Sequence, residues 1–473
     1  MSETLNRETF KPVIVGAGPA GVRAAQTLVR FGLRPVVIDE SSIWGGQIYR
    51  QQPLIFKRSS KELYGFESGR ADSVHQAMAD ILNQIDYHPD TLVWNAQDHE
   101  LDTIHDGQTS TTPYSHLIVA TGATDRVLPF AGWTLPGVYT LGGAQVCLKF
   151  QGCAIGKRVV FMGTGPLLYL VAYQYARAGA QVLAVLDTSS LSDQVAATPR
   201  MIAQPGLLAK GIYYVAWLRT HGVPVHRSIQ PVAAKGESHV TSVVWRDKRG
   251  EHTLECDAIG FGYALRSETQ LADIVGAKFE FDPAQRAFLP VRDESGRSSI
   301  PGVYIAGDGG GIMGADASEL AGELAAFALI ADIDIQLLSP TDLQHIQTLK
   351  SRLTTSSKFR VGLDRAFPFP ENWADNIQDD VIICRCEEIT AGEIRHAVTE
   401  LCALELNRVK ALTRVGMGRC QSRMCGVAAA EIVAECAAID IKEVGRLRGQ
   451  APIKPIPFIT EPETLSVHKQ GER

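Results

Sequence analysis

The chain lacks any stretch approaching the 18 or so uninterrupted apolar residues of a membrane-crossing helix. Its most apolar helix-like region, Ala315 to Ile333, is broken by Asp316, Glu319, Glu323 and Asp332, so no transmembrane segment is expected. An excess of basic charge is also missing: 46 Lys and Arg stand against 52 Asp and Glu, a formal net charge of -6. That leaves no broad cationic field for a phosphate backbone and excludes nucleic acid as a partner. Met1 to Lys11 has none of the basic start, apolar run and small-residue cleavage site of a signal peptide. A cytoplasmic location is expected, extending to peripheral attachment at the inner face of the cell membrane. The nine cysteines include no CxxC pair. In a cytosolic chain they do not form a disulfide framework, and a thioredoxin-type dithiol relay has no support, so their spacing is read as metal or redox chemistry.

What is present is an ordinary globular composition, 473 residues with 45% hydrophobic and 21% charged, long enough for several folding units. Val13, Ile14 and Val15 read as a short buried strand, followed at once by Gly16-Ala17-Gly18-Pro19-Ala20-Gly21 and an Ala-rich helix. In this GxGxxG turn Gly16 permits the tight bend, Gly18 lets the backbone approach a pyrophosphate, and Gly21 lets the helix lie close to the strand. A second strand, Val36 to Ile38, ends in Asp39 and Glu40, about 20 residues on, where an acid can accept hydrogen bonds from a ribose; by spacing Asp39 is the better candidate. Gly45-Gly46-Gln47, opening the run to Arg50, sits where a loop would pass the flavin end of such a cofactor. Leu117 to Val119 is another buried strand, ending in the turn Ala120-Thr121-Gly122, and a further one precedes Gly307-Asp308.

Lys157 to Asp187 repeats the first pattern, with a strand, the turn Gly163-Thr164-Gly165, a helix, a strand and a terminal Asp187. Leu168 replaces the third glycine, and its side chain should push the helix off the strand or shift the nucleotide. The site therefore stays open between an adenine nucleotide, NAD or ATP, and no ligand. Asp187 suits an adenosine ribose. Cys147, Cys153 and Cys256 are read as packing residues, as are Cys402 and Cys436.

After the segment Phe367 to Glu371 come Cys384 and Cys386, then Cys420 and Cys425. Two thiolate pairs on loops flanking a helix, about Ala391 to Leu401, can converge on one centre. The intervals of one and four residues are unlike the CxxC pairs of zinc ribbons, and Arg385, Arg419 and Arg423 would offset an anionic cluster, which favours [2Fe-2S] over zinc. The segment Phe367 to Glu371 and the insertion from about Leu191 to Val223, with Tyr213, Tyr214 and Trp217, are candidate contacts with another subunit, although an aromatic run more often packs in a core.

The segments "ATGATDRVLP" and "GVYIAGDG" resemble those of the two-dinucleotide-domain flavoprotein reductases. The resemblance implies FAD as cofactor, Asp308 hydrogen-bonded to its ribityl and phosphate region, and the second unit inserted between the halves of the first. The expected fold is α/β: two Rossmann-like domains of the disulfide-reductase type and a small helical [2Fe-2S] domain. The expected boundaries are 10–126 and 263–370 for the FAD domain, 127–262 for the inserted nucleotide domain, 380–440 for the cluster domain and 441–473 for a tail. The four-cysteine module is similar to the bacterioferritin-associated-ferredoxin-like domain, whose four cysteines bind a [2Fe-2S] cluster. With "GAGPAG", "GGQIYR" and "FQGCAIG" added, nearly the whole chain resembles the FAD subunits of heteromeric amino-acid and opine dehydrogenases. That group includes the FAD subunits of opine oxidase and of hydrogen cyanide synthase, and the α subunits of dye-linked proline or hydroxyproline dehydrogenases. "GPLLYLVAYQYA" and "LAKGIYYVAWLRTHGVP" are most similar to the cyanide synthase, which oxidises glycine.

The resemblance implies a hetero-oligomer in which the substrate sits on an amino-acid-oxidase-like FAD subunit. This chain would relay electrons through FAD and [2Fe-2S] to an acceptor such as a quinone, with an FMN between the two polypeptides. No acid/base constellation stands out as catalytic. Two rivals remain: a self-sufficient NAD(P)H-dependent reductase of a ferredoxin-like acceptor, and a structural assembly subunit holding zinc.

Overall fold

The computed structural model describes residues 10–53, 55–370 and 372–457. Four short, largely apolar segments and a polar edge strand, far apart in sequence, pair in parallel to make the first sheet, in the order Val303–Ile305, His116–Val119, Pro12–Val15, Val36–Ile38, Asp86–His88. Val13, Ile14, Leu117 and Ile118 are fully buried, because both faces of the sheet are covered, one by helices and the other by Val93, Ala96 and Leu101 of a small antiparallel sheet; that is why the central strands read as unbroken apolar runs. Helices Pro19–Arg30 and Ala315–Asp334 pack on this sheet. Their backbones touch at Gly322, where a Cβ would fall 1.9 Å from the Ala20 carbonyl oxygen.

The second sheet repeats the plan, in the order Val225–Arg227, Gln181–Asp187, Arg158–Thr164, Ala258–Tyr263, Val138–Thr140, again all parallel. Its strands lie in sequence between His116–Val119 and Val303–Ile305, so the second domain is inserted into the first. The chain crosses between them on an antiparallel pair, Ala123–Asp125 with Leu265–Ser267. Helix Leu191–Met201 from the insertion packs on the long helix Pro340–Ala366. Leu191, Val195, Ile202, Ile212 and Tyr213 stay exposed, while Tyr214 and Trp217 are half-buried against Tyr173. The aromatic run thus divides between core and surface.

The segment after the long helix is not a free linker. Phe367 packs under the insertion, and Phe369 lies beneath the guanidiniums of Arg126 and Arg286; Glu371 falls outside the described residues. The third unit joins a small hairpin, Ile382–Cys384 with Ile389–Thr390, to helices Ala391–Thr399, Leu406–Thr413 and Gly426–Ala437. Its core shares one apolar cluster with the second domain. Two indoles peg that seam: Trp133 Nε1 donates to the Ile382 carbonyl at 2.6 Å, and Trp373 Nε1 to that of Pro129 at 3.0 Å.

The expected tail is packed as far as it is described. Val444 is fully buried, Arg446 pairs with Asp273, and Ile453 is buried in the first domain, its N–H donating to the Trp94 carbonyl at 2.9 Å. Its apolar residues, Ile441, Val444, Leu447 and Ile453 among them, are interleaved with charged residues, glycines and prolines, so no helical or strand periodicity announces a packed segment. No helix among the described residues is long and apolar enough to cross a membrane.

Candidate flavin and cluster sites

Gly16 sits at φ +106°, and a Cβ there would meet the Ala120 carbonyl oxygen at 2.3 Å; one on Gly21 would meet the Gly16 carbonyl oxygen at 1.7 Å. Gly18 has open space in front of it, limited only by the Gly46 Cα at 3.6 Å. The turn is therefore closed on the strand side and open on the side where a pyrophosphate would approach the N-terminus of the helix begun by Pro19 and Ala20. Gly45 ties the next loop across it, donating its N–H to the Ala17 carbonyl at 2.8 Å. Gln47 is exposed and accepts from Arg50.

Asp39 accepts from the Ala17 and Ser41 N–H groups, at 2.5 and 2.7 Å on separate oxygens, which leaves each oxygen a lone pair for a ribose. Glu40 instead points to Lys454. Asp308 Oδ1 accepts from the Met313 and Gly314 N–H groups at 2.8 and 2.9 Å, ahead of helix Ala315–Asp334, and Oδ2 makes no hydrogen bond among the described residues. It thus orders the turn into that helix and keeps one oxygen for a ligand. Gly307, at φ +68°, packs on the Ala20 side chain. The residues expected for a dinucleotide, Gly16 to Gly21, Asp39, Gly45, Gly46, Ala120, Thr121, Gly122, Gly307 and Asp308, thus surround one cradle that fits FAD.

The second unit departs from this pattern. Gly163 and Gly165 hold the turn at φ +132° and +107°. Leu168, however, stands where the first unit has no room for any side chain, and it is fully buried in the core cluster that also holds Leu141, Ala144 and Phe161. Asp187, expected to meet a ribose, is sealed. Ser189 N–H donates to Oδ1 at 2.8 Å, while Tyr169 Oη, Ser189 Oγ and Gln194 Nε2 donate to Oδ2 at 2.5, 2.8 and 3.3 Å, and no part of the residue is exposed. Burial raises its pKa against the pull of those donors. The acid is a structural acceptor.

The cluster loops run through residues at positive φ, Glu388, Arg414, Gln421 and Ser422, and meet where a Cβ on Gly418 would collide with that of Cys386 at 2.3 Å. Their four sulfurs lie in a sequence of neighbours, Cys384 beside Cys425, Cys425 beside Cys420, Cys420 beside Cys386. Hydrogen bonding from the Cys425 thiol lowers Cys384 to about 6 and Cys420 to about 5, toward the thiolates that a metal requires. A binuclear cluster takes two thiolates per iron, and the donor set of four neighbouring thiols fits it. Cys384 and Cys425 are buried, Cys386 exposed. Arg385 and Arg419 are exposed, while Arg423 is committed elsewhere. Cys402 is exposed and so is not core, whereas Cys436 is half-buried near a helix end and packs against the core. Cys153 is exposed too, with its sulfur within hydrogen-bond reach of Cys147.

Sequence reading missed the link between the two sites. Thr121 Oγ1 donates to the Glu268 carbonyl at 2.7 Å and Glu268 N–H to that of Gly122 at 2.9 Å, which locks residue 268 to the flavin turn. The Glu268 carboxylate then grips Arg423 between Cys420 and Cys425, at 2.7 Å to Nε and 3.2 Å to Nη2. Gln270 Nε2 donates to the Gln421 carbonyl at 2.5 Å. No motif surrounds Glu268, and nothing local in its segment marks it.

Comparison with known proteins agrees with this layout. Residues 10–322 match the pyridine nucleotide-disulphide oxidoreductase family and residues 382–435 the BFD-like [2Fe-2S] binding domain. The chain is 33% identical over 461 residues to the A component of the opine oxidase of Agrobacterium tumefaciens, covering 94% of this chain and 90% of that one. It is 32% identical over 466 residues to the hydrogen cyanide synthase subunit HcnB of Pseudomonas protegens, covering 96% and 98%. Identities this close do not separate the two groups. The L-proline dehydrogenase of P. horikoshii has the same fold, with a TM-score of 0.71 at 19% identity over 95% of this chain and 78% of that one. The glycine cradle, the inserted second domain, the four-cysteine module and these matches place the chain in the pyridine nucleotide-disulphide oxidoreductase family, as an FAD-dependent oxidoreductase with a BFD-like [2Fe-2S] domain.

Proposed function

We propose that the chain is the electron-transferring subunit of a heteromeric amine or amino-acid dehydrogenase, taking electrons from the flavin of its partner and delivering them to an acceptor. The observation that carries this is the short hydrogen-bonded route from the flavin turn to the cluster loop: Thr121 and Gly122 to Glu268, and Glu268 to Arg423. When bound, FAD would supply two-electron and one-electron chemistry and the cluster one-electron chemistry. Glycines 16, 18 and 21 with Asp39 and Asp308 would hold the first, and Cys384, Cys386, Cys420 and Cys425 the second. The chain's own part is to orient the two groups. Glu268, at the middle of the link, is 6% exposed.

Substrate oxidation belongs to the partner in this reading, whose substrate is an opine, hydroxyproline or glycine by analogy with the relatives; an FMN between the two polypeptides and a quinone acceptor are part of the same proposal. The stand-alone NAD(P)H reductase is disfavoured by Leu168 and by the sealed Asp187, which removes the ribose acceptor of the second site. The test is an anaerobic titration of the purified chain with dithionite and, separately, with its co-expressed partner and candidate amines. Flavin bleaching and a [2Fe-2S] electron paramagnetic resonance signal that need both partner and amine would support the relay. Prompt reduction by NADH alone would overturn it.

A further inference from the structure

A cavity of about 130 Å³ lies at the seam between the flavin and cluster domains and shares no residue with the flavin cradle. Arg126, Arg266, Ser267 and Gln270 line it from one side, Ser422 and Glu431 from the other. Every carboxylate near it is already engaged. Glu431 accepts from Arg286 at 2.6 and 2.8 Å, and Asp273 accepts from Arg446 at 2.6 Å on each oxygen. Glu268 is held by Arg423, and Asp364 by Arg360. Two guanidiniums make no ion pair of their own, although Glu268, already held by Arg423, and the thiols of Cys420 and Cys425 lie near enough to act on Arg266. Arg126 donates to the Gln285 carbonyl at 2.7 Å, and Arg266 reaches only the carbonyls of Ser422 and Arg423, at 3.4 Å. Neither has a carboxylate within ion-pair distance among the described residues.

Two further polar atoms at this seam lack partners, Ser267 Oγ and Gln270 Oε1, on residues 5% and 9% exposed. Uncompensated buried charge and orphaned polar atoms are each costly, and a single counter-ion relieves both. Burial, with the charges of Arg360 and Arg266, pushes Arg126 down to about 10 against the opposing pull of Asp364 and Glu431.

We propose that this seam cavity is a binding site for a compact phosphate-class dianion. Its volume is ample for one tetrahedral oxyanion. Arg126 and Arg266 supply the two charges and the Ser267 hydroxyl a neutral donor. Gln270 Oε1 is an acceptor, and hydrogen phosphate carries a P–OH to give it, whereas sulfate has none; the site therefore prefers phosphate to sulfate. Because the walls come from both domains, the anion also pins the cluster domain to the flavin domain. The site stands whether or not the chain relays electrons.

The test is calorimetric titration of the full-length chain, purified without phosphate, with inorganic phosphate and with sulfate, alongside Arg126→Gln and Ser267→Ala, each checked for folding by circular dichroism. One phosphate per chain is expected, weakened tenfold or more in Arg126→Gln, severalfold in Ser267→Ala, and tenfold or more for sulfate. If Arg126→Gln misfolds, Ser267→Ala and the sulfate arm still decide. Absence of saturable binding up to about 10 mM phosphate, or affinity unchanged in both variants, overturns the proposal. Material released on denaturation of the protein as purified separates the sources. Inorganic phosphate marks the free ion as occupant; a phosphomonoester found by mass spectrometry marks the phosphate end of an organic molecule.

Discussion

Replacing Glu268 by Gln removes one charge from a pair whose side chains are 7% and 14% exposed, and leaves Arg423 and Arg266 facing each other at the seam. Breaking a buried pair by deleting one partner costs roughly 3–5 kcal/mol, because the surviving charge is neither hydrated nor matched. With an m-value of about 2 kcal/mol per molar urea for the unit that opens, the midpoint should fall by roughly 1.5–2.5 M. The measurement is urea unfolding of the holoprotein followed by cluster absorbance, with Arg423→Gln and the double variant closing a cycle. Glu268→Gln should be worse than Arg423→Gln, since it strands two cations where the other strands one anion that Arg266 still faces, and the double variant should be milder than the sum. Burial works to raise the Glu268 pKa, but the charges of Arg423 and Arg266 outweigh it and hold the carboxyl below its ordinary value. With the folded-state pKa the lower one, the contribution is complete above the unfolded value of about 4.3 and lost as pH falls through the folded one. Wild type and Glu268→Gln should therefore converge in acid. A midpoint shift below about 0.3 M at neutral pH, or strict additivity in the cycle, would refute the view of Glu268 as the strut between the sites.

Three other outcomes are expected. Gly21→Ala, whose Cβ has no room against the Gly16 carbonyl, should lower both melting temperature and bound flavin, whereas Gly18→Ala, which faces open space, should keep its melting temperature as apoprotein and lose flavin, read from the ratio of 450 nm to 280 nm absorbance. Cys420→Ser should lose iron, sulfide and cluster absorbance with flavin retained, while Cys402→Ser and Cys436→Ser should keep all of them; iron retained in Cys420→Ser would remove that residue from the ligand set. NADH in anaerobic excess should leave the flavin oxidised over minutes, and Leu168→Gly should not change this, because Tyr169 and Ser189 still hold Asp187; rapid bleaching in either protein would contradict that account.

The features legible in the sequence are those imposed within a few residues. The glycine turns are local steric demands, and their strands read as apolar runs because both faces of each sheet are covered. The fate of the two terminal acids was not legible. Asp39 and Asp187 close equivalent strands, and what separates them is a tyrosine 18 positions upstream of Asp187 that turns inward from its helix. The arginines around the cluster looked interchangeable by composition, yet Arg423 is spent on Glu268, 155 positions away, and only folding brings such partners together. Cys402 failed for a smaller reason: it sits just past the end of helix Ala391–Thr399, on a left-handed residue that turns it outward.

The packed tail has a dynamic consequence. The cluster domain is anchored where the chain enters it, by Trp373, and again where the chain leaves, by Arg446 on Asp273 and Ile453 on Trp94. A domain tethered at one end can swing like a pendulum between donor and acceptor; one moored fore and aft cannot. In the proposed relay, passage of an electron across the seam would be a fixed-distance event, indifferent to the viscosity of the medium and to the length of any hinge, and it is the acceptor that would have to travel.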